Sequence, residues 1–264
     1  MRPAHIAAVL FSLLATPAGA GAYSLKTTTG GETLHWRTPR VEISLHESVV
    51  ARFGEEAART ALREAIAAWS EADVGPSLHL GPIIDVPPGF VRGRASNGVY
   101  SISPWPYEKK LLAVTISSYD TRTGELLDAD ILLNGDEPLV VGAKDDHYDL
   151  TAILTHEIGH VLGLGEAEDA PTSTMYPRIA KSDLRARTPS ADDFEGLRAI
   201  YASRPDAHVE ETPASRFRGF GSFASFFAGC SVLLVGVRRA RASGNARPVR
   251  WSARDPWDEV RLHS

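Results

Sequence analysis

Cysteine is almost absent from this chain: Cys230 stands alone in 264 residues, so no disulfide can close within it. Methionine is nearly as scarce, with only Met1 and Met175. No internal repeat recurs, and no spacing of acidic residues matches a defined calcium loop such as the EF-hand. An excess of positive charge is missing as well. The formal net charge is −5, which argues against a nucleic-acid partner.

Long apolar runs are confined to the two ends. Residues 1–22 read as a secretory signal peptide: Arg2 supplies the positive start, 6–14 a short apolar core, and Ala20-Gly21-Ala22 a small-residue cleavage site. The mature chain is then expected to begin at Tyr23, or at Gly21 if Ala18-Gly19-Ala20 is cut. Residues 219–237 carry no charge and include Phe220, Phe223, Phe226, Phe227, Leu233 and Leu234. That length crosses a hydrocarbon core. Arg238, Arg239 and Arg241 follow at once, which predicts a transmembrane helix with a cytoplasmic, Arg-rich tail over 238–264. Charge divides the chain the same way. The segment 213–264 holds nine arginines against three acids, leaving 19 basic and 30 acidic residues, net −11, for the remainder.

About 180 residues lie between these ends, enough for one domain with a real core, here 23–203. Val41, Ile43 and Leu45 alternate with polar neighbours and predict a half-buried strand. The run 55–70 is an amphipathic helix with Ala58, Ala61, Leu62, Ala65 and Trp69 on one face. The Gly- and Pro-rich stretch 76–98 reads as loop, with a short strand at 78–80. Strands are expected at 111–119 and 129–134 around a turn at 122–124. A last helix at 189–202 has Ser190 as its cap and Phe194, Leu197 and Ile200 facing inward. A polar, Pro-containing linker occupies 204–218.

The chemistry concentrates at His156-Glu157-Ile158-Gly159-His160. Histidines four apart share one helix face, so both imidazoles can address one ion, and Glu157 beside them can hold and deprotonate a water. Leu150, Ala152, Ile153, Leu154, Ile158, Val161 and Leu162 make the carrier a mostly buried helix, with Asp149 or Asp146 as its N-cap. Gly163, a turn after His160, can take the left-handed conformation that stops a helix and turns the chain back. Glu166 lies just beyond that turn, and Met175 sits in the compact run Ser173-Thr174-Met175-Tyr176-Pro177.

These residues resemble the metzincin zinc peptidases, and among them the matrixins, whose long motif is HExxHxxGxxH followed by a methionine turn. The resemblance is strong over 151–177 and weaker over 23–203. It implies an α+β catalytic domain, a twisted mixed sheet with three helices. It implies one zinc ion held by His156, His160 and Glu166, with Glu157 as general base and Met175 supporting the site from beneath. Tyr176 and Pro177 would line the pocket for the residue after the cut, and 113–118 would be an edge strand that pairs with extended substrate. The third ligand in the family is normally histidine. Glu166 departs from that, adds a negative charge, and should make a bound water less acidic. Glu168 or Asp169 could replace it if the turn is shaped differently. The family's cysteine switch has no thiol ahead of the domain here, and no folded prodomain fits between Ala22 and the first strand.

The expected function is an exported, membrane-tethered zinc endopeptidase, monomeric, acting on protein or peptide substrates. The alternative is a catalytically silent domain of the same fold that binds peptides or a partner at the cell surface. Calcium, common in matrixins, could find oxygens at Asp128, Asp130, Asp136, Asp145 and Asp146. Without a calcium-loop spacing these read instead as solvated loop charge. His35, His46, His79, His147 and His208 are isolated and read as surface or hydrogen-bonded residues. Gly229-Cys230 before the Arg cluster resembles bacterial sorting tails that are cut and anchored, although the long tail departs from that pattern. The other reading is an ordinary span with an inert cysteine.

Overall fold

The computed structural model describes residues 22–90, 96–142 and 144–203. The proposed signal peptide, linker, span and tail therefore lie outside the described residues, apart from Ala22. Among the described residues, no helix is long and apolar enough to cross a membrane.

Strand β1 (Arg40–His46) alternates as expected, burying Val41, Ile43 and Leu45. It runs directly into α1 (Glu47–Phe53), a helix absent from the sequence reading. His46 causes the switch, because its Nδ1 accepts the Ser48 N–H at 3.1 Å and caps the helix. Among the described residues the domain thus has four α-helices instead of three. Helix α2 (Glu55–Trp69) buries Ala58, Ala61, Leu62, Ala65, Ile66 and Trp69, the predicted face with Ile66 added.

The short strand expected at 78–80 is the centre of a longer one, β2 (Ser77–Ile84), and β3 (Gly98–Ile102), which was not expected, begins where the stretch read as loop ends. β4 (Ala113–Tyr119) and β5 (Leu126–Asn134) complete a five-stranded sheet in the order β2-β1-β3-β5-β4. β1, β2, β3 and β5 run parallel to their neighbours, and only β4 is antiparallel. β4 is accordingly an edge strand, as the resemblance implied, with Ile116 exposed. The sequence showed only the middle of β2 because its alternation is diluted: Pro82 interrupts it, and only Gly81 is buried. Edge position explains how β2 tolerates a proline.

Asp128 and Asp130 on β5 correct the expectation of solvated charge. Both are 1% exposed. Asp128 accepts the Ser96 and Asn97 N–H groups, and Asp130 accepts those of Gly98 and Gly89 at 2.7 and 2.6 Å. They fasten the connection leading into β3. Burial and the neighbouring Asp128 push Asp130 up to about 6, against the pull of those N–H groups. Asp136 accepts from the Ser103 hydroxyl and the Trp105 N–H.

A short pair, β6 (Leu139–Val140) with β7 (Tyr148–Asp149), leads into α3 (Leu150–Val161), and α4 (Ala191–Tyr201) closes the domain. Every residue of α3 is buried. The indoles of Trp69 and Trp36 donate to the carbonyls of Thr155 and Val161, both at 2.8 Å, and so fix α3 against α2 and the N-terminal segment.

Candidate active site

Asp149 sets the start of α3. Its Oδ1 accepts the Ala152 N–H at 2.8 Å, and the same carboxylate takes a two-pronged pairing from Arg187 at 2.8 and 2.7 Å. This confirms Asp149 over Asp146 as the cap. At the other end Gly163 has φ 99°, the left-handed region, and a Cβ there would strike the Leu34 carbonyl. The helix stops and the chain doubles back.

His156 and His160 then face one point. Their rings are 4.8 Å apart and perpendicular. Each Nδ1 donates to a carbonyl, His156 to Thr174 at 2.7 Å and His160 to Leu164 at 2.9 Å. That arrangement commits each Nδ1 to its carbonyl and turns each Nε2 toward the site. The returning turn presents Glu166, with Oε1 3.3 Å from His160 Nε2 and Oε2 3.7 Å from His156 Nε2. Among the described residues these three form a cluster whose ligand atoms lie within 4.8 Å of one another. Glu168 and Asp169 are exposed and outside it. Tetrahedral zinc with ligand distances near 2.1 Å sets its donors about 3.4 Å apart. The donor set fits that ion. Glu166 Oε2, buried and without a hydrogen-bond partner, is the atom a cation would satisfy.

Electrostatics agree. Burial would raise Glu166, but His160 and His156 outweigh it and hold the carboxyl well below its usual range. Burial would lower His156, yet Glu166, Glu157 and the Thr174 carbonyl lift it to about 9. Negative charge thus gathers where a cation would sit.

Glu157, 5% exposed, receives a 2.6 Å hydrogen bond from the Thr115 hydroxyl on β4. Thr115 was not singled out from sequence. One threonine on an edge strand carries no signal until the strand is placed beside the helix. Lys26 was missed for the same reason. Its N–H donates to the Gly163 carbonyl at 2.9 Å, so the N-terminal segment runs along the turn that presents Glu166. The residue is half-buried with its ammonium end enclosed. That burial lowers it to about 8 despite the opposing pull of Glu157 and Glu166.

Met175 is 2% exposed and packs under α3 at Gly159, where any Cβ would collide with its sulfur. Asp193, one turn into α4, holds this segment. Its Oδ2 accepts the Thr174 N–H at 2.9 Å and the Ser190 N–H at 2.7 Å, and its Oδ1 accepts from the Ser173 hydroxyl. Ser190 returns the favour by capping Asp193, completing a capping box. Tyr176 is half-buried at the rim and Pro177 is exposed beside it.

A buried helix with two histidines, a returning carboxylate and a methionine packed beneath define a metzincin-like domain. The Peptidase_M10 family model, Matrixin, matches residues 35–202. This chain belongs to the matrixin family. It is similar to Metalloendoproteinase 2-MMP of Arabidopsis thaliana, 33% identical over 90 residues that make up 31% of this chain and 23% of that protein. Metalloendoproteinase 1-MMP of the same plant is 28% identical over 167 residues, 61% of this chain and 42% of the relative. Matrilysin of Homo sapiens is 38% identical over 53 residues, 20% of each. The chain spans less than half the length of each of these relatives.

Proposed function

We propose that this chain is an exported, membrane-tethered zinc endopeptidase. The carrying observation is that His156, His160 and Glu166 converge on one point, with Glu157 beside it. His156, His160 and Glu166 would hold zinc, whose Lewis acidity polarises the scissile carbonyl when it is bound. Glu157 takes the proton from the attacking water and passes it to the leaving amine, and the Thr115 hydroxyl orients the carboxylate that does so. Among the described residues β4 has a free edge, which would suit an extended peptide. Met175 and Asp193 support the ligand helix, and Tyr176 and Pro177 border the cleft. We assign 1–22 to a signal peptide, 23–203 to the peptidase domain, 204–218 to a linker, 219–237 to a span and 238–264 to a cytoplasmic tail, on the sequence grounds given above.

Metal analysis of the full chain in mild detergent should find about one zinc. Glu157→Ala should keep the ion while peptide hydrolysis falls by two to four orders of magnitude, roughly the worth of a general base. Zinc retained in the wild-type chain with no cleavage across a broad peptide library would reject the reading. It would favour a silent peptide-binding domain, which the carboxylate at 166 supports. Tethering has its own test. Phe227→Arg with Leu233→Arg places two charges in the proposed span, at roughly 3 kcal/mol each on insertion scales. Release of that variant into the soluble exported fraction is the expected result, and wild-type chain found there intact would refute the tether.

A further inference from the structure

The cleft has two unlike walls. On one side stands β4, whose Thr115 reaches Glu157. On the other stands the segment after Met175, anchored where the Thr174 carbonyl receives His156. The β4 wall between 113 and 119 carries no charged side chain. Beyond Tyr176 the chain continues into 178–187, which holds Arg178, Lys181, Arg185 and Arg187 against the single acid Asp183. That is a local excess of positive charge on a body that is otherwise strongly acidic.

Two of the four cations are committed to the fold. Arg187 is paired with Asp149 and lies 3.7 Å from Glu64. Arg185 donates to the carbonyls of Ser173 and Arg178 and lies 3.6 Å from Asp183. Arg178 and Lys181 are different. Both are exposed, and among the described residues neither has a carboxylate within ion-pair distance, although the Lys181 ammonium lies 5.7 Å from the Tyr148 ring centroid. Arg178 Nη1 donates to the Tyr176 hydroxyl at 2.8 Å, with the guanidinium 5.7 Å from the ring centroid. Arg185 lies 5.8 Å from the same centroid. Because that hydroxyl accepts from Arg178, its own proton is free to donate outward, and a guanidinium has four further N–H groups. A phenol and a guanidinium held side by side form a two-point donor for a carboxylate.

We infer that Tyr176 and Arg178 select a carboxylate on the substrate along this wall of the cleft. The inference rests on the peptidase reading above and names its substrate class: peptides carrying an acidic group on the side of the cut that faces Tyr176. That carboxylate could belong to an Asp or Glu side chain, or to the peptide's own C-terminus.

The test uses the full, zinc-loaded chain in mild detergent and matched peptides that differ only by Glu against Gln at each position flanking the cut. Each pair is made with an amidated and with a free C-terminus. Wild type should prefer Glu at one position on one side by about tenfold in kcat/KM, mostly through KM, as a charge-assisted hydrogen bond at a solvated rim gives. A preference present in amidated peptides assigns it to the side chain, and one present only with a free terminus assigns it to the terminal carboxylate. Arg178→Glu should reverse the preference, Arg178→Lys should restore part of it, and Tyr176→Phe should reduce it. Arg40→Glu, a charge reversal at the exposed start of β1, which β3 and β5 separate from β4 in the sheet, should leave the ratio unchanged. No acidic preference in the wild type, or one that survives Arg178→Glu, overturns the inference. Direct binding of labelled Glu and Gln peptides to the Glu157→Ala chain separates the two levels of the argument. Selective binding of the acidic peptide without any wild-type cleavage would overturn the peptidase reading and uphold carboxylate selection, whereas equal binding overturns the selection itself.

Discussion

Asp193 lies outside the cluster that would hold the metal, yet its removal should disturb both stability and metal binding. In Asp193→Ala the Thr174 N–H loses its acceptor in a position with no solvent exposure, which costs about 1–3 kcal/mol. The fully buried Ser173 hydroxyl loses its acceptor too and keeps only the Met175 N–H that it accepts, for about 1 kcal/mol more. Breaking the capping box at Ser190 adds about another 1 kcal/mol. The total is roughly 3–5 kcal/mol, a large share of the 5–15 kcal/mol typical of a domain. Asp193→Asn keeps the shape but turns one donor against the donors it meets, so about half that loss is expected. The second effect runs through Thr174, whose carbonyl orients His156. Loosening such an outer partner typically weakens metal affinity by about 10- to 100-fold. Urea unfolding of the full chain, together with zinc competition against a calibrated chelator, reads both. Asp192→Ala is the control, because its Oδ1 accepts only the exposed Ala22 N–H, and it should cost under about 1 kcal/mol. A loss below 1 kcal/mol in Asp193→Ala would refute the bookkeeping. A large loss of stability with unchanged zinc affinity would refute the coupling through Thr174.

Gly159→Ala drives a methyl group into the Met175 sulfur and should destabilise by about 1–3 kcal/mol in urea unfolding; pairing it with Met175→Ala should recover part of the loss. Lys26 is lowered from 10.5 to about 8 in the folded chain, so the unfolded chain binds more protons between those values and stability should rise with pH across that window. Lys26→Met should therefore stabilise the domain at pH 7 and confer no such gain above pH 10.5, as urea midpoints at the two pH values would show. His156 holds its proton up to about 9, so zinc uptake at pH 7 should release about one proton from it; calorimetry in buffers of different ionisation enthalpy would count it, and zero release would contradict the raised value.

The parts of this molecule readable in one dimension are those whose signal is local. Helical spacing put His156 and His160 on one face, Asp149 and Ser190 stood where caps belong, and the buried face of α2 followed from its period. Gly163 foretold the turn that returns Glu166 to the histidines. What escaped depends on neighbours distant in sequence. β3, and β2 beyond the expected 78–80, exist because β1 pairs with them, not because 77–84 or 98–102 alternate cleanly. α1 begins at a histidine, an uncommon cap. Asp128 and Asp130 looked like ordinary loop charges until the N–H groups they accept were in place. Thr115, Lys26 and Asp193 act on the cluster from 42, 131 and 27 or more positions away, distances at which no periodicity speaks.

The pairings that frame α3 have a consequence for how the chain becomes competent. Trp36 donates its indole N–H to Val161, 125 positions on, while its backbone N–H reaches the Tyr201 hydroxyl across 165 positions, and that hydroxyl donates in turn to Leu162. Contacts of such range are slow to form, since loop closure has to precede any reward from them. A nascent chain that has emerged only as far as α3 carries both histidines but lacks Asp193 and Tyr201. The order of synthesis therefore delays the finished site until almost all of the domain is available to fold, with α3 held in register by the two ends of the domain meeting at Trp36.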